Sequence, residues 1–485
     1  MAREIVIQPV TRIEGHAKVV IQLNDEGNVS DARVHILELR GFEKFCEGRP
    51  VEEMPQITPR ICGVCPWAHH LASAKAADAV FGVKIPEAAK KLRELSYMME
   101  MAADRILHFY FLSGPDFVMG PDANYKERNV IGIAMKFPDL ARKAVRARHL
   151  GTVMTEIVAG KAVHPVAAVP GGFGKVLKEE ERDKVLEMAK EVHDFAVFSM
   201  RYAKESIFPK YIDMVKSLAV FNTSFLGTVT DDGAMNFYDG KLRMMSPDGS
   251  YEDFPPENYL DYIAEHVEPW TYMKFPYQKK TGKLSVDPDN PVGIYRVNAL
   301  ARVNVCDKIP TPLAQEELQE FRKLFGRPAQ PTLLFHWARL IELLYASERT
   351  LELLDDQQIL SRDIRVAVKP RAARGVGVVE ASRGTLIHDY ESNENGMIKD
   401  VNLLVATVQN NAAMNMSVKS AARELIRNGR FDEGILNRVE MVIRPYDPCL
   451  SCGTHDMPGR IAIKLDIVDS RGQLIQSLTP GGASR

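Results

Sequence analysis

The spacing of apolar residues changes twice along this chain. Short β-branched runs at residues 4–8 and 18–22 read as strands on either side of a turn at Thr11–His16, and residues 29–39 read as a third. From about Ile85 the apolar positions recur every three to four residues, the period of a helix with one buried face. Pro86 opens such a stretch, which runs to Leu112, and the same period covers roughly 139–159, 178–219, 313–325 and 332–355. Pro and Gly cluster at 165–174 and 245–293, which read as loop-rich connections. Strand-like character returns at 364–390 and 438–444, and no repeat or low-complexity tract interrupts the pattern. These periods predict an α+β chain, a central long-helix bundle bracketed by terminal β elements: β-rich over 1–50, mainly helical over 85–355 and mixed over 360–455.

At 485 residues the chain exceeds the size at which one core keeps growing, so two or more packed lobes are expected. Hydrophobic residues make up 45% of it, enough for a substantial interior. The net charge of −2 leaves no basic field to displace counterions from phosphate, which argues against nucleic-acid binding. The basic cluster from Arg142 to Arg148 reads instead as a solvated helix face. No run reaches the ~20 consecutive apolar residues of a membrane span. The opening Met-Ala-Arg-Glu-Ile-Val runs straight into a strand pattern without an apolar signal region. Together these features predict a cytoplasmic protein with reduced thiols.

Of six cysteines, four form two Cys-x-x-Cys pairs at opposite ends of the chain, Cys62 with Cys65 and Cys449 with Cys452. Each pair holds two sulfurs within one turn of backbone, so each is half of a site before folding begins. Four thiolates on one centre suit zinc, iron-sulfur or nickel. A structural zinc site normally knits a short segment, with roughly 15–20 residues between the pairs. Here nearly the whole chain lies between positions 65 and 449. A redox dithiol needs only one pair, beside a βαβ pattern that neither flank shows.

The flanks of these cysteines resemble a known family. Arg60-Ile-Cys62-Gly-Val-Cys65-Pro-Trp-Ala-His69-His70, with Asp447-Pro-Cys449-Leu-Ser-Cys452-Gly-Thr-His455, is similar to the paired signature of the large, catalytic subunit of nickel-iron hydrogenases. Val10-Thr-Arg12-Ile-Glu14-Gly-His16, Arg40-Gly-Phe-Glu43, Asp104-Arg-Ile-Leu-His108, His164-Pro165 with Pro170-Gly-Gly172, and Glu380-Ala-Ser-Arg383-Gly extend the likeness over essentially the whole chain. The form of the first cysteine motif is closest to the cytoplasmic, cofactor-coupled bidirectional type.

The resemblance implies nickel bound by all four thiolates and an iron that carries carbon monoxide and cyanide. Cys65 and Cys452 would bridge the two metals, and Cys62 and Cys449 would bind nickel alone. Glu14 would take the proton from Cys449, and Arg383 would stand over the open metal position between Asp104 and Asp447, whose planar carboxylates suit a guanidinium. His69 would donate a hydrogen bond to a bridging sulfur. Leu404-Val405-Ala406-Thr407 resembles the strand whose backbone and hydroxyl cradle the cyanides, although the family often has proline at the positions of Ala406 and Ser382. Glu43, His455 and the carbonyl of Leu403 would hold Mg2+, or Fe2+, near the C-terminus. Cys46 and Cys306 match nothing and read as buried thiols.

With four cysteines assigned, no iron-sulfur motif remains. Electrons would then leave through an iron-sulfur small subunit and further flavin and iron-sulfur subunits, to an acceptor such as NAD(P) or ferredoxin. The family's endoprotease removes the segment beyond the motif histidine, here 456–485, which reads as a hairpin of strands 461–467 and 474–478 around Ser470–Gly472. Two other classes stay open on the sequence: a complex I-like quinone-reductase subunit, which shares the fold but lacks the thiolates, and a zinc-stabilised scaffold.

Overall fold

The computed structural model describes residues 3–454, 465–468 and 473–478. At the amino end Arg3–Ile7, Ala17–Leu23 and Val29–Ile36 form an antiparallel sheet in that order. Its middle strand alternates as a half-buried strand must: Ala17, Val19, Ile21 and Leu23 are buried while Gln22 is exposed. The turn before that strand carries Glu14 and Gly15. A Cβ on Gly15, whose φ is +85°, would come within 2.7 Å of Leu450 Cβ. Glycine therefore lets this turn close against the cysteine loop at the other end of the chain.

Four long helices make the bundle. Glu87–Leu107 packs on Pro138–Ala159 and on Phe335–Asp355, and Glu179–Tyr202 completes the ring against the latter two. Beyond Leu107 the first helix widens into π-type turns at His108–Ser113 and Pro115–Met119, a change of register found often at functional sites. The basic face from Arg142 to Arg148 is solvated as expected, with Arg142, Lys143, Arg146 and Arg148 exposed. Among the described residues, no helix is long and apolar enough to cross a membrane.

Beside the bundle, helix Pro66–Phe81 lies on the antiparallel sheet Arg374–Ala381, Gly384–Ser392, Ile398–Leu404. The two main chains nearly touch: a Cβ on Gly377 would lie 2.1 Å from the Ala72 carbonyl oxygen and 2.4 Å from the Ala76 nitrogen. Cys65 is the residue before the helix and Arg383 is at the tip of the tight hairpin that pairs Ala381 with Gly384. One rigid unit thus carries both.

Several expectations change. Residues 438–444 are not a strand; Glu433–Met441 is a helix, started by Asp432, whose carboxylate accepts the Ile435 N–H at 2.8 Å. Val439-Glu-Met-Val-Ile mimics alternation, but Ile435, Val439 and Val442 keep helical spacing. The 245–293 stretch contains strands Tyr251–Phe254, Ile263–His266 and Phe275–Gln278, formed by backbone pairing without a repeated apolar face. The later β region starts at Arg374 and not at 364, and the backbone turns helical at Ala406 instead of continuing as a strand to Thr407. Helices Pro66–Phe81 and Asn411–Leu425 were not foreseen; burial on nearly all sides leaves the first little polar–apolar period. In the tail Leu465–Val468 pairs antiparallel with Leu474–Leu478, while Ser470–Gly472 lies outside the described residues.

Replacing Gly377 with Val forces a branched side chain into that helix–strand contact. We expect a loss of about 1–3 kcal/mol of stability, read as a lower thermal unfolding midpoint in the metal-free protein. An unchanged midpoint would show that the contact is loose.

Candidate metal centre

Two local structures aim the four sulfurs. Cys62 is extended after the turns Met54–Ile57 and Thr58–Ile61, and Cys65 precedes a helix that begins with Pro66. The Val64 N–H points back at Cys62 Sγ, 3.2 Å away. At the other end Asp447 takes the left-handed conformation, with φ of 50°, and Pro448 then sends the chain into the second pair. The Cys449 N–H donates to Thr407 Oγ1 at 3.0 Å, and Cys452 N–H closes the turn on the Cys449 carbonyl at 3.2 Å.

The halves meet. All four Sγ atoms lie within 4.8 Å of one another and all four residues are buried. Cys62 is 3.2 Å from Cys449, Cys65 is 3.3 Å from Cys452, and Cys449 is 2.7 Å from Cys452. These separations exceed the ~2.05 Å of a disulfide, so the groups are thiols. Hydrogen bonds from Cys449 first, then Cys452 and Cys65, hold Cys62 well below the usual thiol range, whereas burial holds Cys449 and Cys452 well above it. Four such groups ionise together only if a cation sits among them. A convergent, buried set of four sulfurs fits a soft or borderline metal such as nickel.

Arg383, 2% exposed, approaches this cluster from the hairpin tip. Its Nη2 donates to Asp447 Oδ1 at 3.1 Å, and Nη1 stands 3.6 Å from Asp104 Oδ1. Nε and Nη1 of Arg383 have no hydrogen-bond partner among the described residues, so a buried guanidinium keeps donor capacity beside the sulfurs.

Known proteins agree with this geometry. A family profile described as "Nickel-dependent hydrogenase" matches residues 40–130 and 311–455, and one described as "HoxL-like" matches 4–39. One subunit of the F420-non-reducing hydrogenase vhu from Methanocaldococcus jannaschii is 48% identical over 87% of this chain and 100% of its own length. The beta subunit of the NAD-reducing hydrogenase HoxS from Cupriavidus necator is 40% identical over 98% of this chain and 99% of its own. The chain belongs to the nickel-dependent hydrogenases. Its fold is that of their catalytic large subunit: the crystal structure of an NAD+-reducing [NiFe]-hydrogenase superposes with a TM-score of 0.89, at 40% identity, over 93% of this chain and 99% of that one. A Ni-Fe-Se hydrogenase from D. vulgaris Hildenborough superposes with 0.76, at 25% identity, over 94% and 100%.

Other expected site residues of this hydrogenase subunit lie close by. Glu14 pairs its backbone with the cysteine loop, receiving the Leu450 N–H at 3.1 Å, and its carboxylate accepts Ser451 N–H at 3.1 Å and Ser451 Oγ–H at 2.6 Å. His69 bonds through Nδ1 to His388 Nε2 at 3.1 Å, and burial pushes it down to about 4, so it is neutral at pH 7. Glu43 is half-buried; burial pushes it up to about 7 although Leu403 N–H donates to it at 2.7 Å. Thr454 receives the Arg40 N–H at 2.8 Å, which ties the end of the cysteine loop to the turn that carries Glu43. His455 lies outside the described residues. Cys46 and Cys306 are buried apart from the cluster and pushed up to about 12 and about 11 by burial.

Sequence reasoning missed what holds Arg383. Arg105 donates to the Ser382 carbonyl at 3.0 Å and pairs with Glu342 at 2.8 Å. Arg302 pairs with Glu342 and Glu380 and donates to the Ala381 carbonyl at 3.0 Å. Two arginines thus grip the carbonyls just before Arg383, anchored on Glu342. The available signal was a charged residue at the core positions of an apolar helix, which burial permits only when paired.

Cys449→Ser removes one sulfur and leaves the Thr407 and Glu14 backbone contacts intact. The variant should fold, with an unchanged circular dichroism spectrum, and lose hydrogen turnover entirely. Wild-type-like turnover in the nickel-loaded variant would sink the assignment of the cluster.

Proposed function

We propose that this subunit performs the reversible heterolysis of H2 and passes the electrons to an iron-sulfur small subunit, then through flavin and iron-sulfur subunits to an acceptor such as NAD(P) or ferredoxin. The observation that carries this reading is the buried four-sulfur cluster with Arg383 beside it. A nickel-iron pair held there, with carbon monoxide and cyanide on iron, supplies Lewis acidity and redox change when bound. Cys65 and Cys452 would be shared between the metals, and Cys62 and Cys449 would serve nickel alone. With Cys46 and Cys306 buried elsewhere, no cysteine pair is left for an iron-sulfur cluster, so a partner must take the electrons. NAD(P) and ferredoxin are cytoplasmic acceptors, and we assign the subunit to that compartment. Relatives named for NAD reduction and for not reducing F420 support the acceptor class without choosing within it. Nickel plus iron in the purified complex is expected; zinc alone would leave only a scaffold.

The chain's own residues divide the remaining work. Asp104 and Asp447 orient Arg383, whose free donors suit anionic ligands or a polarised H2. Ala406 and Thr407 would face the cyanides, and His69 would use its second ring nitrogen toward a bridging sulfur. Glu43, the Leu403 carbonyl and His455 would hold Mg2+ or Fe2+; a carboxylate raised by burial is a natural partner for a divalent ion. Glu14 would take the proton from Cys449. An onward hydrogen-bonded chain supports that role: Ser451 Oγ bridges Glu14 at 2.6 Å to Glu38 at 3.0 Å, and Glu38 meets the exposed His16 at 2.7 Å.

Glu14→Gln keeps shape and hydrogen bonding but removes the titrating group. Nickel and iron content should stay normal while turnover and H/D exchange into solvent both fall at least about a hundredfold, within the range of general acid–base groups. Exchange near the wild-type rate would refute the relay. Maturation is read separately, by intact mass. If an endoprotease trims the chain after nickel insertion, active enzyme ends at His455, and protein made without nickel keeps 456–485. A full-length mass with full activity would show that no trimming is needed.

A further inference from the structure

The carboxylate Glu100 has no part in the chemistry described so far, yet it stands at the cluster's edge. A cavity of about 120 Å³ starts at Gly63 and Val64, between the first two metal-binding cysteines, and runs past Asp104 and Glu100 to Arg148 and Val163. Arg148 and Val163 are exposed, so the far end meets solvent. The volume accommodates several water molecules. Asp104 and Glu100 are four residues apart on Glu87–Leu107 and therefore share one helix face, about 5–6 Å apart at Cβ. Asp104 Oδ1, buried, has no hydrogen-bond partner among the described residues, and no hydrogen bond or ion pair among them ties down Glu100.

We propose that Glu100, exchanging protons with Asp104, is a second outlet by which protons leave the four-sulfur cluster on its Arg383 side and reach the surface beside Arg148. This rests on the hydrogenase chemistry proposed above, since the protons arise there. In each passage Glu100 releases its proton to water at the cavity mouth and is reprotonated by Asp104. Asp104 in turn takes up the proton arriving from the cluster, so both groups return to their starting state and no electron moves. Burial holds the Glu100 carboxyl well above the usual carboxylate range; Asp104 raises it further, and Arg383 and Arg105 pull it back. Burial thus favours the protonated form of this group. Arg148, at the mouth, favours release because a cation there repels an incoming proton.

The test uses the assembled holoenzyme. In a Glu14→Gln background, adding Glu100→Gln should lower the residual H/D exchange at least a further tenfold with nickel and iron content unchanged, and Glu100→Asp should restore most of it. Thr152→Trp, which narrows the cavity while keeping both carboxylates in the chain, should act like Glu100→Gln and guards against misfolding of the charge variant. Infrared spectra give a readout independent of turnover. A protonated carboxylic acid band present at neutral pH should vanish in Glu100→Gln and shift in D2O. If the double variant exchanges as fast as Glu14→Gln alone, or no such band is lost, the second outlet is overturned while the hydrogenase reading stands. If the wild-type enzyme, loaded with nickel and iron, exchanges no hydrogen at all, both fail.

Discussion

Four sulfurs within 4.8 Å of one another, with no solvent around them, are the constraint on which the rest of this structure depends. Buried thiols cannot all lose their protons without a compensating cation, and a metal cannot be held by sulfurs that arrive from opposite ends of a flexible chain. The fold answers the second difficulty with backbone contacts. Glu14 is bridged to the Pro448–Leu450 segment, Gly15 admits Leu450, and Val34 N–H is bonded to Asn415 at 2.8 Å, so the amino-terminal sheet and the carboxy-terminal helices close as one body. Helix Pro66–Phe81, seated main chain to main chain on Gly377, fixes the first cysteine pair against the hairpin that bears Arg383.

Charge around the cluster is balanced by shared partners. Arg383, Arg105 and Arg302 face Asp104, Asp447, Glu342 and Glu380, all buried. Taking ions out of water is costly, and such a network is tolerated because each member meets opposite charge at hydrogen-bond distance. Its products are position and specificity. The Ala381 and Ser382 carbonyls are gripped by arginines whose own carboxylate is shared, which leaves Arg383 little freedom to swing away from the sulfurs. On the other side Glu14, Ser451 and Glu38 form a hydrogen-bonded series that leads outward to the exposed His16.

The fold was legible where burial was one-sided. Ala17–Leu23 shows period two, and the long helix Glu179–Tyr202 shows a clear apolar stripe, because each has a more exposed face to contrast with the core. Pro66–Phe81 was illegible for the opposite reason. It is enclosed, so its sequence carries little contrast, and alanine suits many environments. Val439–Ile443 misled because five neighbouring residues can alternate by chance within a helix whose start lies at Asp432.

The sequence by itself offered the candidate ligands, two Cys-x-x-Cys pairs whose internal spacing is local and survives as local geometry; Glu14, Arg383, Asp104 and Asp447 came only from the resemblance of their motifs to those of nickel-iron hydrogenases. Only the tertiary structure decided that the halves meet, that Arg105, Arg302 and Glu342 hold the Arg383 hairpin, and that a cavity joins Glu100 to the cluster's edge. Those facts belong to residues far apart in the chain. Their identities carry no sign of partnership until long-range packing has removed water from between them and left each buried charge dependent on its neighbour.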